Sequence, residues 1–279
     1  MPEHELTGKT LGRRTVSYSE RDVMLYALTI GAQADELDLI FEKQLQVLPT
    51  YALTLGLWAP DLLGELGAYD VSRAVHGSQE LEIHAPLPVA GDLELDAAVA
   101  AVWDKGRAAV FDVDVRSQWF SARYSIFAPG AGGFGGPRGS AADRCGARVD
   151  GTATTVAVPT WPEQAALYRL TGDRHLIHIL PDAAKTIGQP RPVMHGLCTL
   201  ATSILGFSRS VGASAVDLTR LAARFSAPVL PGQVLEVAGH CQDGRASRYD
   251  LAVTADGVPV ISDAYVEFAS SASGRGPLP

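Results

Sequence analysis

"HAPLPVAGDLELDAAV" (residues 84–99) and "SAPVLPGQVLEVAGHC" (residues 226–241) follow one plan: an Ala-Pro pair, a second proline, a glycine, then alternating apolar and polar residues. Pro86 falls on Pro228 (228 − 86 = 142). Two more matches keep this spacing. "LYALTIG" (25–31) against "LYRLTGD" (167–173) sets Tyr26 on Tyr168, an offset of 142. "LPTYAL" (48–53) against "RPVMHGL" (191–197) sets Pro49 on Pro192, an offset of 143. Three separate matches at nearly constant spacing read as two copies of one unit, and such internal similarity governs the fold.

Each copy has an apolar helical stretch, Thr50–Leu66 in the first and Met194–Val211 in the second. In the second, Leu197, Leu200, Ala201, Ile204, Leu205 and Phe207 recur mainly at three- and four-residue spacing, with little polarity opposite, as in a buried helix. β-like runs follow: "LELDAAVAAVW", "AAVFDVDVR" and "SARYSIFA" in the first copy, "VLEVAGHC", "RYDLAVTA" and "VISDAYVEFA" in the second. Turn signals "DKG", "DGR" and "ADG" separate them, which predicts hairpins and an antiparallel sheet. One buried helix with antiparallel strands is an α+β unit. The expected division is residues 1–128, a Gly/Ala/Arg-rich linker 129–155, and residues 156–279. "GGFGGPRG" within the linker has neither dinucleotide-fingerprint nor P-loop spacing, though Arg138 stands open to a ligand contact. The tail "SSASGRGPLP" reads as mobile.

Composition narrows the classes. With 47% hydrophobic and 19% charged residues in 279, the chain can bury a sizeable core. A net charge of -8 argues against nucleic acid as partner. No run approaches the roughly 20 apolar residues of a membrane span. The N-terminal "MPEHELTGKT" lacks the apolar core of a signal peptide. Cys145, Cys198 and Cys241 are scattered, without metal or redox spacing, so a cytoplasmic location and no metal or other cofactor are expected. Cys198 lacks the neighbouring base that a nucleophilic thiol needs.

The duplication supplies an internal control. Where the second copy reads "GDRHLIHILPDAAK", the first reads "IGAQADELDLIFEK", with no histidine; where the second reads "PVMHGL", the first reads "PTYAL". Residues needed to pack the unit should occur in both copies. The stretch 168–199 holds Asp173, three of the seven histidines and three arginines, which marks it for chemistry. Asp173 and His178 are five apart, roughly 140° round a helix, so a shared target requires an irregular loop after Gly172. The helix-start signal comes only at Pro181. A carboxylate beside an imidazole can fix its tautomer and share a water with it. Gly196, opening the buried helix, has an N–H with no intrahelical partner, at the positive end of the helix dipole. Two readings stand for it: a donor to a carbonyl oxygen, or close packing of the helix.

"YRLTGDRHLIHILPDAAKTIGQPRPVMHGLCT" resembles the hydratase 2 motif of MaoC-like enzymes, the (R)-specific 2-enoyl-CoA hydratases and related dehydratases. The likeness extends through "QVLPTYA", "HGSQELEIHAPLPVAGDLE", "GGFGGPRG" and "AARFSAPVLPGQVLEV". It implies a double hotdog, each copy wrapping an antiparallel sheet around its long helix, and it implies that the first copy opens room for the acyl chain. Carried over, Asp173 and His178 hold and activate water, the Gly196 N–H holds the thioester oxygen, and Leu48, Pro49, Thr50 and Tyr51 border the acyl pocket. His175 and His195 are expected modulators, and Arg191 is the candidate for the CoA phosphates. The implied substrate is an acyl-CoA or acyl-carrier-protein thioester, and the implied assembly a homodimer. His175 stands where the family usually has Asn, Leu176 where it has Pro, and Leu180 where it has Asp. These departures leave three outcomes open: hydration of a 2-enoyl thioester, a specialised dehydration or double-bond isomerisation of a secondary-metabolite thioester, or a decayed copy that binds acyl thioesters.

Overall fold

The structure is a computed structural model that describes residues 6–139, 153–242 and 248–269. Cys145, the turn signal "DGR" (243–245), the tail and residues 140–152 of the expected linker lie outside the described residues. The strands are β1 (Thr10–Tyr18), β2 (Val75–Ile83), β3 (Gly91–Asp104), β4 (Ala108–Arg116), β5 (Phe120–Pro129), β6 (Thr154–Pro159), β7 (Leu218–Phe225), β8 (Val234–Cys241), β9 (Arg248–Ala255) and β10 (Val258–Phe268). The helices are α1 (Glu20–Thr29), α2 (Leu37–Ile40), α3 (Ala52–Leu55), α4 (Trp58–Glu65), α5 (Gln164–Tyr168), α6 (Pro181–Thr186) and α7 (Gly196–Ser210).

All ten strands join one antiparallel sheet in the order β1-β3-β4-β5-β2-β7-β10-β9-β8-β6. Read outward from its centre, the two halves repeat: β2 answers β7, β5 answers β10, β4 answers β9, β3 answers β8 and β1 answers β6. The duplication in the sequence is thus a pseudo-twofold in space. Its seam is the β2–β7 ladder, where Leu81 faces Leu221 and Gln79 faces Ala223. Tyr26 and Tyr168, equivalent in the repeat, meet with ring centroids 6.0 Å apart. Arg209 of the second copy forks onto Glu36 of the first, at 2.7 Å through Nε.

The hairpins read from turn signals are present. Asp256 and Gly257 take φ of 50° and 75°, as a two-residue turn between β9 and β10 requires. The sequence reading found three strands per copy; the structure adds β1 and β2 to the first and β6 and β7 to the second.

The second copy's helix matches expectation. In α7 every residue from Leu197 to Ser208 is buried. Its hydroxyls survive burial by bonding back to the helix: Thr199 Oγ1 donates to His195 O (3.1 Å) and Ser203 Oγ to Thr199 O (2.7 Å). The first copy departs from expectation. Thr50–Leu66 is not one helix but a 3₁₀ turn at Pro49–Tyr51 followed by α3 and α4. The Tyr124 hydroxyl donates to Leu53 O at 2.8 Å, taking the carbonyl that a continuing helix would offer to residue 57. It also fills the space beside Gly56 that any side chain there would need.

The described part of the expected linker is pinned rather than loose. The N–H groups of Gly133 and Gly135 donate to the Asp104 carboxylate at 2.9 and 2.7 Å, and Phe134 packs against the core. β6 begins at Thr154, inside the span read as linker.

Candidate active site

A cavity of about 320 Å³ opens along the seam between the copies. The first copy contributes Leu57, Pro60, Asp61, Tyr69, Val71, Ala74, Val75, His76 and Ile126 to its wall. The second contributes Asp173, His175, Ile177, His178, Val193, Met194, Gly196 and Phe225 among others.

The loop that carries the chemistry is irregular, as the spacing of Asp173 and His178 demands. A 3₁₀ turn over Arg169–Thr171 ends at Gly172, whose φ of 140° suits a residue without a side chain. The chain reverses and presents Asp173. Its Oδ1 accepts the His175 N–H at 3.0 Å, and a second 3₁₀ turn, Leu176–His178, swings His178 back toward it. Pro181 then opens α6.

Asp173, His178 and His195 each place a donor atom within 4.8 Å of the other two. The expected pair is therefore assembled, and His195 joins it: the His178 and His195 rings stack at 3.7 Å. Both imidazoles are buried and Asp173 is half-buried. Burial acts against charge on Asp173, but His195, His178 and the His175 N–H outweigh it, and its pKa lies below the ordinary carboxylate value. Burial also lowers the His178 pKa, against the pull of Asp173 and of the Val193 carbonyl. His195 falls to about 3, driven by burial and then by His178. At neutral pH the cluster is one carboxylate and two neutral imidazoles.

Hydrogen bonds fix the tautomers. His178 Nδ1 lies 2.9 Å from Val193 O, and only a protonated nitrogen can bond a carbonyl. A neutral His178 therefore keeps its lone pair on Nε2. His195 Nε2 donates to Asp173 O at 3.2 Å, which leaves its Nδ1 buried and without a partner. One nitrogen from each ring and a carboxylate oxygen also make up the spacing that could hold a metal ion.

His175, where the family usually has Asn, spans the copies. Its Nε2 donates to Val71 O of the first copy at 2.9 Å, while Nδ1 accepts the Ile177 N–H at 3.4 Å. Both ring nitrogens are occupied in holding the loop. Gly196 is the first residue of α7 and lines the cavity. A side chain there would start 3.2 Å from the Phe225 ring, so both readings of this glycine fit: it packs closely and it faces the cavity.

Other expected residues lie elsewhere. Leu48, Pro49 and Thr50 are buried and do not line the seam cavity; Tyr51 lines a second hollow instead. Leu57, Pro60 and Asp61, farther along the chain, line the seam cavity in their place. Arg191 is exposed, with Nη1 donating to Pro231 O at 3.0 Å beside the cavity-lining residues 226–229. Arg138 lies by Gly106 in the β3–β4 turn, away from the cavity. Cys198 is buried, and burial pushes its thiol pKa far up, away from nucleophilic use. Asp61, Tyr69, His76 and Phe225 line the cavity without having been singled out in the sequence. His76 was within reach of that reading, since it heads "HGSQELEI" in the quoted resemblance.

A loop that assembles Asp173, His178 and His195 in one half, a pocket wall from the other and a continuous sheet through both define a two-copy hotdog scaffold with one such site. Residues 16–128 match the family model for the MFE-2 hydratase 2 N-terminal domain, and residues 145–263 the MaoC-like domain. The chain belongs to the MaoC-like hydratase 2 family. It is 35% identical over 270 residues to Enoyl-CoA hydratase ChsH3 of Mycobacterium tuberculosis, covering 88% of this chain and 93% of that protein. It is 34% identical over 277 residues to 3-hydroxyacyl-thioester dehydratase Y of the same organism, covering 90% and 93%. In fold it is similar to the MaoC-like dehydratase from Phytophthora capsici, with TM-score 0.84, 22% identity, and coverage of 99% of this chain and 100% of that one.

Proposed function

We propose that the protein catalyses reversible hydration of a 2-enoyl thioester to a (3R)-3-hydroxyacyl thioester, on CoA or a carrier protein. The observation that carries this reading is the meeting of Asp173 and His178 within 4.8 Å, at a cavity that Gly196 also lines. Asp173 and the bare Nε2 of His178 hold one water. As its oxygen attacks C3, a proton passes to His178 and is returned to C2, so one O–H bond and the C2–C3 π bond break while one C–O and one C–H bond form. Charge developing on the thioester oxygen meets the Gly196 N–H at the positive end of α7. Addition of water is redox-neutral, and the reading calls for no cofactor. Residues 1–128 shape the acyl side, 156–279 carry the loop, and Arg191 reaches toward the CoA phosphates.

Support for the reaction comes from the relatives named enoyl-CoA hydratase and 3-hydroxyacyl-thioester dehydratase. The reading includes a cytoplasmic setting, supported by three scattered cysteines without metal or redox spacing. Among the described residues no helix is long and apolar enough to cross a membrane. Pairing into a homodimer, supported by the likeness to two-copy family members, is checked by light scattering. The reaction is checked by loss of enoyl-thioester absorbance across a series of 2-enoyl-CoA esters. Turnover that persists at full rate in both His178→Ala and Asp173→Asn overturns the assignment of the pair.

A further inference from the structure

The seam cavity holds a second carboxylate that the hydration chemistry does not use. Leu57 and Asp61 are four residues apart at the start of α4, so they share one helical face. Both line the seam cavity, and both also line a second hollow of about 890 Å³. That hollow is walled by β1 and α1 of the first copy and reaches Thr171 and Gly172, directly before the catalytic Asp173. Leu57 and Asp61, one apolar and one acidic side chain, are thus the residues common to both spaces. Among the described residues no side-chain hydrogen bond or ion pair engages Asp61.

Asp61 is exposed to the water of these spaces, and that water satisfies its carboxylate. A saturated acyl chain laid against it strips water from the charge and returns nothing, whereas a chain with a donor at that depth restores the bond. A site built around such a bond rejects the analogue that lacks the donor more strongly than an apolar pocket rejects an extra hydroxyl. Protein packed around the carboxyl, with Asp173 and Glu65 nearby, raises the Asp61 pKa to about 6, against His175, so the group is mainly ionised at neutral pH. The second hollow carries both signs, Arg13 and Arg14 against Asp22, Asp61 and Glu65, so a cationic chain would meet both attraction and repulsion there. A neutral hydroxyl satisfies Asp61 without desolvating a second charge.

We propose that Asp61 is a specificity-determining residue: it selects acyl thioesters bearing a hydroxyl beyond the reacting carbons, whose distal chain continues past Leu57 into the second hollow. This rests on the enoyl-thioester reading of the seam cavity.

The test uses pairs of 2-enoyl-CoA esters of equal length, one plain and one with a hydroxyl moved stepwise away from C3. The expected result in the wild-type protein is a kcat/KM ratio favouring the hydroxylated partner by about ten- to a hundredfold at one position. Asp61→Leu should bring that ratio to one or below, and Asp61→Asn, which keeps an acceptor, should fall between. Because each ratio is taken on one protein, a general loss of rate in a variant cancels. A ratio near one at every position in the wild type, or an equal ratio in Asp61→Leu, overturns the inference. If the wild type turns over no enoyl thioester, the hydratase reading fails by itself. Calorimetric affinities for the matching saturated esters then decide the Asp61 inference by the same ratios.

Discussion

Replacing Asp173 by Asn removes one charge while keeping an acceptor for the His175 N–H, so the loop should hold its shape. During water attack His178 becomes an imidazolium, and the carboxylate opposite it lowers the energy of that state. At 4.8 Å, the widest spacing in the cluster, two unit charges interact by about 3.5 kcal/mol at an effective dielectric of about 20. Divided by about 1.36 kcal/mol per decade, this is a loss of roughly 300-fold in kcat. Since Asp173 also pulls the His178 pKa upward, its removal should move the acid limb of the kcat/KM profile to lower pH. That limb should already lie below pH 6.5 in the wild type, because burial depresses His178 and catalysis needs its neutral form. Stopped-flow absorbance of an enoyl-CoA across the pH range, with circular dichroism to confirm folding, reads both effects. A variant that keeps more than a tenth of the wild-type kcat with its acid limb unmoved would refute the electrostatic role given to Asp173.

Three more outcomes follow from the geometry. In Gly196→Ala the added carbon starts 3.2 Å from Phe225, which should cost about 1–3 kcal/mol in chemical denaturation and about tenfold or more in rate. Tyr124→Phe leaves the buried Leu53 carbonyl without its donor and should cost about 1–3 kcal/mol, read from the urea midpoint. His76, lowered to about 4 chiefly by burial, and His195, lowered to about 3, both resist protonation in the folded state. Below pH 6.5 the unfolded chain takes protons that the folded chain refuses, so stability falls with pH down to the folded values. Each histidine should contribute about 1.4 kcal/mol per pH unit, and His76→Asn should flatten the slope measured between pH 6 and about 4.5.

How far the sequence could be read depended on the range of the interactions involved. The duplication and the burial of α7 were legible because they are written in local spacing. So was the need for an irregular loop, since Asp173 and His178 cannot share a helical face. The break between α3 and α4 was not legible, because its cause is Tyr124, 71 residues away on β5. Of the 48–51 segment, expected to border the acyl chain, Tyr51 lines the second hollow and not the seam cavity, and nothing local in the sequence separates the two spaces. The seam strands β2 and β7 also went unread; their neighbours are set by sheet order and not by any pattern within them. Asp61 was hidden for another reason: inside "LWAPDLLGELG" a lone aspartate reads as the solvated side of a helix.

The β2–β7 ladder makes a two-walled cleft out of one polypeptide. Were those walls separate chains, every reaction chamber would exist only while two molecules stayed associated, and it would vanish on dilution. Covalent tethering holds the second wall at an effective concentration on the order of millimolar, whatever the amount of protein. Specific activity per chain should therefore be flat down to the lowest concentrations that can be assayed, even where larger assemblies have come apart.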